Sequence, residues 1–313
     1  ALAAPFYTLT DDVSTAQLKT LWLQNSPPAG LPVTGLLVDE STLAVFSALW
    51  GRPGSLVQAL PADKLLDAAW QAQTTWALLP FEAIQPRWKI LSLDGQHPLH
   101  KDLDPATYAL TVPISLTGTD AALTASQWLP VTTRDPQKLA VIDLTGVTAL
   151  VRGTAGMMET HGMTYPASDE VRDLLRSADI LHISNEIPFA KDCPNPYYDS
   201  NDLVFCSRAA YIELLDYIGT DVVELTGDHF ADWGPEAMLY TLQLYHERGW
   251  GFYGGGENID AASTPLKLNV NGNKIAFLGC NGKPSGYATA SQKSPVLGAM
   301  IAGTLNGLMP CPL

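Results

Sequence analysis

Four short apolar runs, each ending in a polar or glycine-rich turn, alternate with helical segments through the second half of the chain. The runs cover residues 139–144, 180–183, 222–225 and 251–253. Between them lie a helix capped by Ser168 or Asp169 and running to Arg176, and a helix over 209–217 closed by Gly219. A third helix carries Pro235 in its first turn and runs to Arg248 before Gly249. Strands that alternate with helices of this length close as βαβ units, so the pattern predicts an α/β fold with a mostly parallel sheet. Runs at 266–270 and 274–278 flank Asn271-Gly272, a strong two-residue hairpin signal.

The first 117 residues show a smaller α/β pattern. Helices are expected over 14–25, 41–50 (stopped by Gly51) and 64–73, and strands over 34–38, 76–79 and 90–93. Residues 118–136, rich in Thr, Ala, Asp and Pro, read as a linker, and 137–313 as the second domain. The net charge of −14 over 313 residues argues against a nucleic-acid groove or an anionic membrane surface as partner. With 46% hydrophobic and 16% charged residues, the chain can build a large core. No apolar run is long enough to span a bilayer. The most apolar stretch, 296–309, is broken by Gly298, Gly303 and Gly307 and reads as a packed tail helix. The absence of a start Met, a basic n-region and a signal h-region reads as a mature or trimmed form.

Of Cys193, Cys206, Cys280 and Cys311, none forms a C-x-x-C pair, which excludes a zinc ribbon or a thioredoxin-like motif. Cys193 and Cys206 bracket a loop rich in Pro, Asn, Asp and Tyr. A bridge there would tie down a segment with little core of its own and would place the chain in an oxidising compartment. The alternative is two buried free thiols.

In open α/β sheets ligands bind beyond the carboxyl ends of the strands. Here those ends carry Asn185 and Glu186, then Asp228, His229 and Asp232, then Gly254-Gly255-Gly256 with Glu257 and Asn258, then Asn281. His229 beside carboxylates suits a general base, a proton shuttle or a metal ligand, or else a histidine satisfied by packing. Asp232 either joins that chemistry or caps the helix that starts near Pro235. Glu186 suits a cation ligand or a general acid, or else a rim ion pair with Arg152. The glycines could approach an anion with their N–H groups, or simply form a tight loop. His97 and His100, in a Pro-flanked loop, read as incidental, and the absence of G-x-S-x-G disfavours an α/β serine hydrolase.

Four motifs in order sharpen this picture: Gly146-Val147-Thr148-Ala149-Leu150-Val151-Arg152, Ser184-Asn185-Glu186-Ile187-Pro188, Gly227-Asp228-His229-Phe230-Ala231-Asp232-Trp233-Gly234, and Gly254-Gly255-Gly256-Glu257-Asn258 with Pro265 after it. Through them, residues 139–283 resemble the CapA-like poly-γ-glutamate (capsule) biosynthesis proteins, which have a calcineurin-like metallophosphoesterase fold. The first part more faintly resembles a periplasmic-binding-protein lobe, at Leu79-Pro80-Phe81 and Leu93-Asp94-Gly95.

The resemblance carries over Arg152, Glu186, Asp228 (at an Asn position), His229, Asp232 and Asn258. It departs at Val147, where the family has a metal-binding Asp, and at Ser184 and Gly227, where it has Asn. The family's further histidine-bearing turns are not recognisable beyond the hairpin, so the metallophosphoesterase-like core is expected to be incomplete at its C-terminus. An ordinary two-metal site then cannot be assembled, and at most one divalent metal, on Glu186 and His229, is expected.

Two functions follow as expectations. The first is a hydrolase acting on an ester, amide, phosphoester or glycosidic bond of an envelope or extracellular polymer. Glu186, Asp228, His229 and Asp232 would be catalytic, and Arg152, Asn185, Gly255 and Asn258 would bind a polymeric or small-molecule substrate. The second is a non-catalytic protein of polyglutamate or capsule assembly with a degenerate metal site. It would need a local basic pocket, from Arg152, Lys191 and Arg208, to offset the acidic charge. Either reading places the chain outside the cell or in the envelope.

Overall fold

The computed structural model describes residues 1–115, 117–118, 134–196 and 203–279, together with the backbone of 296–297. The chain divides into two units, Ala1–Leu139 and Ala140–Leu313. Residues 119–133 of the expected linker lie outside the described residues, as do Cys280, Asn281 and Cys311.

In the first unit a five-stranded sheet has the order β4-β3-β5-β1-β6, from β1 (Leu2–Pro5), β3 (Gly35–Val38), β4 (Val57–Ala59), β5 (Thr75–Leu78) and β6 (Trp88–Ile90). Strand β3 is parallel to β4 and to the central strand β5, whereas β1 runs antiparallel to both its neighbours. Alternation sorts the side chains into two cores. Leu2, Ala4, Leu36, Val38, Trp76 and Leu78 face helices α1 (Thr15–Leu23) and α2 (Glu40–Trp50), which contribute Leu18, Leu21, Trp22 and Phe46. Ala3, Leu37, Ala77 and Leu79 face Leu65, Leu66 and Ala69 of α3 (Leu65–Ala72). A capping box between Ser14 and Gln17 starts α1, and the Asp39 carboxylate accepts from Thr42 N (2.7 Å) at the start of α2. The run expected over 90–93 is split into β6 and β7 (Ser92–Leu93), the latter paired with β2 (Asp12–Val13). His97 bonds the carbonyl of Ile90 at 3.1 Å and accepts from Leu99 N, so it holds its own loop.

The second unit is built on a four-stranded, all-parallel sheet, order β13-β12-β9-β8. Its strands are β8 (Ile142–Val147), β9 (Ile180–Ser184), β12 (Val222–Glu224) and β13 (Gly251–Tyr253). The edge strand β8 runs three residues further than its apolar run suggests, through an irregularity between Leu144 and Val147. Leu181, Ile183, Val223 and the following Leu225 share one core with α4 (Arg152–His161), α6 (Ile212–Ile218) and α7 (Gly234–Arg248), through Met158, Leu215, Met238, Leu242 and Tyr245. Ser168 caps α5 (Asp169–Arg176), and left-handed Gly219 and Gly249 close α6 and α7. The alternate residues His182, Ser184 and Glu224 face the other way, where Phe277 of the hairpin β15–β16 (Leu266–Val270, Asn273–Phe277) stacks on His182. The fold is therefore α/β with a parallel core, as the strand–helix alternation requires.

One expectation is corrected at the tail. Val296 and Leu297 do not open a helix. They form β17, antiparallel to β14 (Gly255–Gly256), where the side-chain-free glycine edge admits a close partner strand. Residues 298–309 of that stretch lie outside the described residues.

Candidate functional site

The turns that leave β9, β12 and β13 adjoin one another. A Cβ placed on Gly227 would lie 1.9 Å from Glu186 Cβ and 3.2 Å from its Oε2, so the acid of the first turn rests on the backbone of the second. A Cβ on Gly254 would meet Thr226 Cγ2 at 2.4 Å, which ties the second turn to the third. Only glycine permits either approach.

In the middle turn His229 is held from three sides. Its Nδ1 lies 2.7 Å from Asp232 Oδ2, its Nε2 lies 3.9 Å from Asp228 Oδ1, and the ring of Phe205 stacks on it at 3.8 Å between centroids. The three polar side chains keep 23–31% exposure, so solvent and a ligand can reach them. Asp232 thus orients the imidazole. It does not cap α7, whose N-cap position is Trp233 and which has no side-chain cap.

Phe205 reaches His229 from the segment anchored by the Cys193–Cys206 disulfide (S–S 2.05 Å). Its neighbours Val204 and Cys206 line a cavity of about 240 Å³ with Val151, Arg152, Ala155 and Tyr211. Arg152 adopts φ 49°, a left-handed conformation that a non-glycine residue holds only when its surroundings enforce it. It has no ion pair with Glu186. The other two basic candidates are engaged: Arg208 with Glu159 at 2.6 Å, and Lys191 over the Tyr240 ring at 4.9 Å.

Three residues expected to bind ligand make structural contacts. Asn185 is fully buried, and its amide donates to Tyr245 Oη (2.5 Å) and Ile187 O (3.1 Å), so it braces the turn from inside. Gly255 is buried against Leu225, with its backbone in the β14–β17 ladder. The Asn258 carboxamide accepts from Ala261 N at 2.9 Å and caps the short helix Ile259–Ser263.

A metal fits this set poorly. Val147, which has no donor atom, stands at the first-motif position and is 57% exposed, while the Asp232 contact on Nδ1 of His229 leaves Nε2 as a donor. Among the described residues no three His, Cys, Asp or Glu side chains gather as a metal-binding group.

A second polar group at the same rim is not evident from the sequence motifs. Glu224 pairs in register with Ser184 and Tyr253. Its carboxylate accepts from Ser184 Oγ (2.5 Å) and Thr226 N (2.7 Å). His182 Nε2 and Tyr253 Oη share a hydrogen bond of 2.9 Å. Burial lowers the His182 pKa, partly offset by Glu224, and burial with Glu224 pushes the Tyr253 phenol up to about 12. The available signal was alternation: in Val222-Val223-Glu224-Leu225 the glutamate must face away from the core that takes Val223 and Leu225.

Comparison with known proteins identifies the family of the segment that carries these turns. Residues 141–302, just over half of the chain, match the model of the family described as bacterial capsule synthesis protein PGA_cap. A curated relative, "Capsule biosynthesis protein CapA" of Bacillus anthracis, is 22% identical over 203 residues, covering 62% of this chain and 48% of the relative. The chain therefore spans about half the length of that relative. Among the described residues no helix is long and apolar enough to cross a membrane. The matched segment contains the four-stranded sheet and every turn of the candidate site, and on that basis the chain belongs to the bacterial capsule synthesis (PGA_cap, CapA-like) family.

Proposed function

We propose that this chain is a hydrolytic enzyme of bacterial capsule formation, acting on a bond of an extracellular or envelope polymer, with His229 as general base. The observation that carries the reading is the 2.7 Å contact between His229 Nδ1 and Asp232 Oδ2 in a half-exposed turn at the carboxyl rim of a parallel sheet. A carboxylate on one ring nitrogen fixes the tautomer and steadies the imidazolium that forms when the other nitrogen takes a proton from water. Glu186, seated on Gly227 of the same turn, is the general acid for the leaving group. No step needs a bound metal. The Cys193–Cys206 bridge supports an oxidising, extracellular or envelope location. The capsule role comes from the family and from the printed name of the Bacillus anthracis relative.

The exposed Val147 at the family's metal-binding position favours a second reading, a non-catalytic polymer-handling protein with a degenerate site. Incubation of the chain with purified capsule polymers, with and without chelator, separates the two. Release of new end groups that persists in chelator and is lost in His229→Ala supports the enzyme. Polymer binding without any release supports the second reading.

A further inference from the structure

Taking Glu186 and His229 as acid and base, as proposed above, we propose that Glu224, which lies outside the four motifs, is their positioning residue. Its carboxylate ties the Glu186 turn to the His229 turn and holds the two at a fixed spacing. Glu224 ends β12, and strand register sets it beside Ser184 of β9 and Tyr253 of β13. Ser184 stands two residues before Glu186, and Thr226 three before His229. Glu224 takes a hydrogen from each stem: Oε2 accepts from Ser184 Oγ at 2.5 Å, and Oε1 accepts from Thr226 N at 2.7 Å. Its own backbone carbonyl accepts from Asn185 N at 3.1 Å. One residue therefore fastens the stems of both turns, and the turns touch again where Glu186 rests on Gly227.

Chemistry and burial favour this role over a direct one. Hydrogen bonds to a carboxylate are short and roughly twice as strong as those between neutral groups. Glu224 is half-buried, so water competes for them less than at an open surface. Both carboxylate oxygens already hold a donor, which commits the group to the frame of the site. Tyr253, its register neighbour on the other side, is engaged with His182 at 2.9 Å instead. Gly227 has no side chain with which to anchor the middle turn at the point where Glu186 sits, so the fastening has to come from the stem. Thr226 also abuts Gly254, which extends the same fastening to the third turn. Reacting groups carried on separate loops need such supporting hydrogen bonds to stay within about 0.5 Å of working geometry.

The test compares the whole parent chain with Glu224→Ala, Glu224→Gln and His229→Ala, by amide hydrogen exchange and by turnover of capsule polymer. In Glu224→Ala the Thr226 amide should exchange about 10- to 100-fold faster. The Phe230 amide, which closes the His229 turn on Gly227 O, should follow, whereas that of Leu225, bonded to Tyr253 O, should not. The kcat should fall about 10- to 100-fold with KM little changed, because the reacting groups are displaced and not removed. Glutamine keeps an oxygen for Thr226 N and an amide for Ser184 Oγ. Glu224→Gln should therefore recover most of both readouts, which a proton-transferring glutamate would not allow. Unchanged exchange at Thr226, equal acceleration at Leu225, parent kcat in Glu224→Ala, or a Glu224→Gln as slow as Glu224→Ala each overturns the proposal. Parent kcat in His229→Ala, or no turnover by the parent chain, overturns the acid–base reading instead, and the exchange comparison alone then decides whether Glu224 ties the turns.

Discussion

His229 and Asp232 meet at 2.7 Å, across one turn of chain that leads from the carboxyl end of β12 into α7. The contact explains why an aspartate two residues before a helix is not its cap. Glycine at 234, with φ 81°, lets the chain enter α7 directly, and the carboxylate is released to the imidazole.

Gly227→Ala should damage both the fold and the site. The new methyl would overlap Glu186 Cβ and approach its backbone Cα to 2.6 Å, and backbone cannot rotate away. A loss of about 1–3 kcal/mol is expected in urea denaturation, together with reduced turnover. Gly146→Ala, with nothing within 4 Å of the added atom, is the control and should stay within about 0.5 kcal/mol of the parent.

Reduction of Cys193–Cys206, or its replacement by serines, should cost about 2–4 kcal/mol, because the bridge closes a loop with a sequence separation of 13. Denaturation with and without dithiothreitol measures it. The same change should free Phe205 from His229 and lower turnover further than the loss of stability accounts for.

The second unit should lose stability as pH falls below about 6.5, the ordinary histidine value. Burial sets the folded pKa of His182 below that of the unfolded chain. Between the two values the unfolded state binds more protons, so stability is full above the unfolded pKa and is lost as pH falls toward the folded one. His182→Phe, which keeps the stack on Phe277, should flatten this part of the stability profile. An unchanged slope in the variant would show that other groups govern it.

The fold was legible where side chains were β-branched and local. Runs such as Ile180–Ser184 and Val222–Glu224 announce buried parallel strands by composition alone. Leu2–Pro5 does not, since Leu-Ala-Ala-Pro has no β-branched residue, and its pairing with β5 and β6 is set by residues more than seventy positions away. The site divides in the same way. His229, Asp232 and Glu186 stand out because strand ends collect ligands. Asn185 looks identical to a ligand in sequence, and only packing against Tyr245 shows it to be a brace. The Ser184–Glu224–Tyr253 row depends on register between strands, which no local motif encodes.

The decisive measurement is turnover of capsule polymer by the parent chain, His229→Ala and Asp232→Asn, each shown to be folded. If His229 is a base oriented by Asp232, His229→Ala should lose about 100- to 10,000-fold in kcat, and Asp232→Asn should lower kcat with little change in KM. Equal turnover by all three proteins would contradict the account.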